Sequence, residues 1–141
     1  MANDGSDFAR SMTIATSGLR AQAGRMRVIS ENIANADSTG QTAGGDPYRR
    51  KIPTFTSELD RTLDARVVTL GRVRPDASAF RVRYEPNNPA ADAAGNVKYP
   101  NVNSVVEMTD MRQAQRSYEA NLNIISATRR MIQRTLDILK A

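Results

Sequence analysis

The chain has 141 residues, 5% of them aromatic, and no Trp, Cys or His, which excludes disulfides, zinc or iron–sulfur sites of the usual ligand types, and nucleophile–histidine catalysis. Its net charge of +5 is spread as +1 over residues 1–35 (four Arg against three acids), +2 over 36–103 (ten cations against eight acids) and +2 over 104–141 (six against four), unlike the concentrated basic patch of a nucleic-acid binder. A mean hydropathy of −0.51, with no run near the ~18–20 apolar residues of a membrane span, suits long helices that bury a narrow stripe.

The N-terminus, Met1-Ala2-Asn3-Asp4-Gly5-Ser6-Asp7, has no basic region followed by an apolar one, so no cleaved signal peptide is expected. A helix is predicted from about residue 7 to 35, with Ser6 or Asp7 as its cap. Phe8, Met12, Ala15, Leu19, Gln22, Met26, Ile29 and Ile33 follow one another at alternating spacings of 4 and 3, a heptad seam with one polar interruption at Gln22. Asn35-Ala36-Asp37-Ser38-Thr39-Gly40 ends it, with Gly40 placed for a left-handed C-terminal residue.

The middle, residues 36–103, holds all six Pro and five of the eight Gly. Gln41 to Pro47 reads as a loop. Lys51 to Phe55 reads as extended, Arg66 to Leu70 with Val73 as a strand, and Pro75 to Ser78 as a turn. Phe80-Arg81-Val82-Arg83-Tyr84 alternates apolar and basic as a half-buried strand should. Pro86 to Pro89 and Ala94 to Asn96 are turns, and Val97 to Tyr99 is a short extended piece.

Ser104-Val105-Val106-Glu107 reads as a capping box opening a second helix from 104 to 140. Its seam is Met108, Met111, Gln115, Tyr118, Leu122, Ile125, Arg129, Ile132, Leu136 and Leu139, broken at Gln115 and Arg129. The fold class expected is mainly α with a small β-rich insert, the two long terminal helices forming an antiparallel coiled-coil stalk. The corresponding divisions are 1–40 (N-terminal helix), 41–103 (outward-facing insert) and 104–141 (C-terminal helix). Ile14, Val28, Ile124 and Met131 flank the seams and want further partners.

No motif makes an active site. Gly44-Gly45 lacks the Gly-Lys-Ser/Thr ending of a phosphate loop. Glu107 and Asp110 read as helix-start acids rather than an acid–base pair. Arg49-Arg50-Lys51 is a short loop cluster, and Asp92 near Gly95-Asn96 lacks the ligand count of a calcium loop. No catalytic residue, cofactor or metal is expected. The Met residues on or beside the seams suit either adaptable packing or plain core filling.

Ser17-Gly18-Leu19-Arg20-Ala21-Gln22, Arg25 through Asn35 and Thr39 resemble the N-terminal signature of the flagellar rod, hook and hook-associated proteins. Gly45-Asp46-Pro47-Tyr48-Arg49-Arg50-Lys51, Tyr99-Pro100-Asn101-Val102-Asn103, Glu107 through Met111 and Arg116 through Asn121 resemble a short proximal-rod member of that family, over about residues 8–140. Asp37-Ser38 departs from the Asn-Thr or Thr-Thr frequent there. The resemblance implies a non-enzymatic subunit of the bacterial flagellar basal-body rod, a periplasmic hollow drive shaft, exported by the flagellar type III apparatus without cleavage. It implies as partners other rod proteins, copies of the chain itself, and export-apparatus or MS-ring-side proteins at the rod base. Nucleic acid, a small-molecule substrate and direct membrane insertion are not expected. The residues expected to carry packing and assembly are Leu19, Met26, Ile29, Asn32, Ile33, Asn35, Tyr99, Asn101, Asn103, Glu107, Met111, Tyr118, Asn121, Leu122, Ile125, Ile132 and Leu136. The alternatives are another proximal-rod type and, from a different class, a basic coiled-coil protein that binds nucleic acid.

Overall fold

In the computed structural model, which describes residues 4–140, two long helices precede and follow a β-rich middle segment along the chain. The order is α1 (Asp4–Ala34), β1 (Lys51–Ile52), β2 (Phe55–Asp60), β3 (Ala65–Leu70), β4 (Arg74–Pro75), β5 (Arg81–Tyr84), β6 (Asn96–Tyr99) and α2 (Ser104–Lys140). The strands make three separate two-stranded antiparallel sheets, β1 with β4, β2 with β3 and β5 with β6. The chain groups into two compact units. One contains α1 through Arg25, Thr54–Arg72 and α2 from Gln113; the other contains Met26–Pro53 and Val73–Arg112.

Helix α1 is already helical at Asp4, so Asp7 lies inside its first turns rather than at a cap; the side chain of Ser6 lies outside the described residues. At the other end Gly40 is not left-handed. The positive backbone angles among the described residues belong to Asp64, Gly44 and Gly95. The helix closes instead through Asn35, whose N–H and Nδ2 both donate to the Glu31 carbonyl at 3.2 and 2.8 Å, and through the Ala36 N–H on the Ile33 carbonyl at 3.2 Å. Gly40 is needed for a different reason: a Cβ there would meet the Gly45 carbonyl oxygen at 2.7 Å.

In the first unit the two helices approach closely. A Cβ at Gly18 would fall 2.8 Å from Asn121 Nδ2, and Arg25 Nη2 donates to Gln113 Oε1 at 3.4 Å. The β2–β3 hairpin lies against α1 as well. Val68 N–H donates to Ser17 Oγ at 3.2 Å, and Leu70 fills the space above Gly24. The hairpin turn is built on Asp60, whose Oδ1 accepts from the N–H of Thr62 at 2.9 Å and of Leu63 at 3.4 Å, and on Asp64 at φ 46°.

The face that α2 buries differs from the expected one by a single column. Met111, Tyr118, Ile125 and Ile132 are half-buried as expected, but Met108, Gln115, Leu122, Arg129, Leu136 and Leu139 are exposed. The covered column beside the first four is Glu107, Ala114, Asn121 and Thr128. These eight positions keep the alternating 4 and 3 spacing of a heptad face. In the first unit this column is Ala114, Asn121 and Thr128, whose short side chains let two helices approach closely where bulky Met and Leu would hold them apart. In the second unit Glu107, a larger side chain, is held by its hydrogen bonds to Asn32 and Arg50. On α1 the expected positions are all half-buried or buried, with Ala15, Ala21, Val28, Ile29 and Asn32 the most enclosed. Gln22 carries the one cost among the described residues, a buried Oε1 without a hydrogen-bond partner.

Strand β5 forms where alternation predicts it, but it is not half-buried: all four residues are exposed. Its arginines turn toward the protein instead. Arg81 Nε donates to the Pro100 carbonyl and Nη2 to the Ala36 carbonyl, both at 3.0 Å, and Arg83 stacks over the Tyr99 ring at 5.0 Å.

Candidate assembly-organising site

The second unit is organised by one fully buried amide. Asn32 lies near the end of α1, where a helix would ordinarily offer an apolar side chain to its core. Its Oδ1 accepts from the Lys51 N–H and the Tyr48 hydroxyl, each at 2.9 Å; its Nδ2 donates to the Lys51 carbonyl at 2.8 Å and to Glu107 Oε2 at 3.0 Å. The side chain thus pairs with both backbone groups of Lys51 as a neighbouring strand would. Both of its donors and both acceptor positions are used, the condition under which a buried polar group is tolerated.

Glu107 is the second buried group, 1% exposed. The sequence suggests a capping-box role for it, but Ser104 is not the cap. Asn103 Oδ1 accepts from the N–H of Val105 at 3.1 Å and of Val106 at 3.5 Å, so Asn103 caps α2. Freed from that task, the Glu107 carboxylate takes Arg50 Nε at 2.6 Å and Asn32 Nδ2 at 3.0 Å. Arg50 also faces Asp76 Oδ2 at 3.4 Å and Asp110 Oδ2 at 4.0 Å. Burial works against the Arg50 charge, but the hydrogen bond and charge of Glu107, then of Asp76, outweigh it and raise its pKa. The value of such a pair lies less in net stability than in geometry: removing one partner strands the other in a dry site.

Asn101 completes the joint. Its Oδ1 accepts from the Arg50 N–H at 2.8 Å, while Nδ2 donates to the carbonyls of Asp76 and Ser78, both at 3.2 Å, and to Ser78 Oγ at 2.8 Å. Arg49 Nη1 donates to the same two carbonyls at 2.9 and 3.1 Å, with its guanidinium over the Phe80 ring. Around the rim, Lys51 Nζ meets Glu31 Oε2 at 2.9 Å, and this bond lowers the Glu31 pKa and raises that of Lys51. The Asp76 pKa is lowered first by hydrogen bonds from Ser78 and then by Arg50. Tyr99 Oη donates to Glu85, whose carboxyl pKa is lowered first by the hydrogen bond from Asn88 and then by that from Tyr99.

The structure therefore brings Asn32, Asn101, Asn103 and Glu107 into or beside one network, with Asn35 closing α1 and Tyr99 on the neighbouring hairpin. Leu19, Met26, Ile29, Ile33, Met111, Tyr118, Asn121, Ile125 and Ile132 lie on covered helix faces, whereas Leu122 and Leu136 do not. Sequence reasoning missed Arg50, Asp76, Ser78 and Tyr48 as partners, and Gly18, Ala114 and Thr128 as the close-contact positions. Among the described residues no three His, Cys, Asp or Glu side chains cluster as metal ligands do. What the arrangement does chemically is hold chain segments in register.

Two family models match the helical ends. Residues 12–40 match the flagella basal body rod protein family, and residues 93–138 match the flagellar basal body rod FlgEFG protein C-terminal family. The chain is similar to the flagellar basal-body rod protein FlgC of Agrobacterium fabrum, 54% identical over 128 residues covering 91% of this chain and 92% of that protein. It is 40% identical to FlgC of Salmonella typhimurium over 126 residues (89% and 92%), and 36% identical to FlgC of Aquifex aeolicus over 134 residues (95% and 98%). With matches of this extent, the chain belongs to the FlgC family of flagellar basal-body rod proteins, which are structural subunits and not enzymes.

Proposed function

We propose that this protein is a proximal-rod subunit whose terminal helices pair antiparallel as a coiled coil in the inner wall of a hollow periplasmic shaft, with the middle segment facing outward. Its neighbours are copies of itself, other rod proteins, and export-apparatus or MS-ring-side proteins at the rod base; it reaches them through the flagellar export route without cleavage. The helix pairing is supported in the first unit by Gly18 against Asn121 and Arg25 against Gln113, contacts whose numbers run in opposite directions.

The observation that carries the assembly reading is the apolar surface left on α2. Met108, Leu122 and Leu136 line one flank of its covered face and Ile124, Met131 and Ile138 the other, all exposed. Ile124, Met131 and Ile138 follow one another every seven residues and form a continuous stripe, while Met108, Leu122 and Leu136 are fourteen apart on the other flank, with Gln115 and Arg129 between them. Stripes of this length on a water-facing helix mark contact surfaces. Helices so arranged gain order when neighbours cover them. The test is a clean deletion of the gene, with swimming assays and electron microscopy of basal bodies. Loss of motility with rods and hooks absent, restored in trans, is expected; normal flagella in the deletion strain would overturn the reading.

A further inference from the structure

Strands β2 and β5 each have one free edge. Among the described residues β2 pairs only with β3 and β5 only with β6. Neither contains Pro or Lys, and the charges that guard the two edges, Glu58 and Asp60 on β2 and Arg81 and Arg83 on β5, are of opposite sign. Both also present their apolar residues to water. On β5, Val82 is 60% and Tyr84 72% exposed, alternating with Arg81 and Arg83. On β2, Phe55 is 42% and Leu59 54% exposed, alternating with Thr56, Glu58 and Asp60.

The two patterns are complements. Laid antiparallel with Val82 opposite Leu59, β5 sets Arg81 opposite Asp60, Arg83 opposite Glu58 and Tyr84 opposite Ser57, with Phe55 and Leu59 on the diagonals of Tyr84. Opposite charges then share one face and apolar residues the other, the pairings that stabilise neighbouring strands. A slip by one residue would put Arg83 opposite Leu59 or Ser57, so the sequence selects this register.

We infer that β5 of one copy of this chain adds antiparallel to β2 of a second copy. This rests on the rod-assembly reading and gives it a named subunit contact. The contact joins two different patches; made head to tail, it propagates from copy to copy as an open helical array when the rotation between copies does not close a ring. It leaves the apolar stripes of α2 available to other neighbours.

The absence of Cys from the chain makes a direct test possible. Two variants, Val82→Cys and Leu59→Cys, are expressed together as the only copies in a strain that still swims. Basal bodies are isolated, oxidised and run on a non-reducing gel. Residues directly opposite on adjacent antiparallel strands have Cα atoms roughly 4.5–5.5 Å apart, within the reach of a disulfide. A linked dimer of this chain is expected from the mixture, absent from either variant alone and from Val82→Cys mixed with Val105→Cys. If the first mixture does not swim, Tyr84→Cys with Ser57→Cys probes the same register. No dimer from a swimming mixture overturns the strand contact, while non-motility of the deletion strain leaves the rod reading standing.

Discussion

Replacing Asn32 by Ala tests whether one buried amide holds the second unit together. The substitution removes four hydrogen bonds, to both backbone groups of Lys51, to Tyr48 and to Glu107. Glu107 Oε2 then lies in a dry site without its donor, which costs about 1–3 kcal/mol or more for a charged group. Lys51 and Tyr48 are half-buried, so water reaches their groups and each loses only about 0.5–1 kcal/mol. The sum is roughly 2.5–6 kcal/mol, a large part of the ~5–15 kcal/mol that stabilises an ordinary domain. Urea unfolding of the purified chain, followed by the near-ultraviolet tyrosine signal, measures it. Asn32→Asp, of the same shape, exchanges the amide donors for an acceptor beside Glu107 and is expected to be at least as damaging at pH 7. A loss below about 1 kcal/mol for Asn32→Ala, at an unchanged denaturant slope, would refute the reasoning.

Leu122→Asp is expected to abolish swimming while changing the urea midpoint of the isolated chain little, by an equivalent of less than about 1 kcal/mol, because Leu122 is 43% exposed and outside the helix-facing column; normal swimming in a strain with this variant alone would contradict it. Asn103→Ala costs about 0.5–2 kcal/mol as the loss of a true N-cap, whereas Ser104→Ala leaves the urea midpoint nearly unchanged; equal losses would restore the capping-box assignment. Acid should destabilise the chain. The carboxyls of Asp76, Glu31 and Glu85 have lowered pKa values, so their stabilisation is present above the ordinary carboxyl range near about 4 and is lost as pH falls from there through the folded values. Asp76→Asn should lower stability at pH 7 and flatten that acid limb, which unfolding midpoints between pH 7 and 3 would read directly.

The helices were legible because a heptad pattern repeats over thirty or so residues and each repeat reinforces the next. The second column of α2 was not. Met108 and Leu122 look more like core residues than Glu107, Ala114, Asn121 and Thr128 do, and only the close approach of Gly18 to Asn121 and the bonds of Glu107 to Asn32 and Arg50 show why these positions are covered. Strand β5 was found by its alternation, but its sidedness was inverted, because the alternation cannot say whether Arg or Val faces the protein. Strand β2 was read only at its first residue, since Thr56 to Asp60 is polar apart from Leu59 and becomes a strand through the ladder with β3.

Composition alone removed disulfides and histidine chemistry from consideration, the absence of a long apolar run removed a membrane-spanning helix, and periodicity with the Gly and Pro distribution determined a long helix at each end of a β-rich middle. These are local properties, written in short-range spacing. The partners of Asn32 and Glu107 were decided by tertiary structure, for Glu107 reaches Arg50 across 57 positions and Asn32 across 75. No local pattern encodes such a separation. The folded chain brings the groups together, and a buried amide or carboxylate reveals its role only when the dry space around it, and the donors that fill it, are in place.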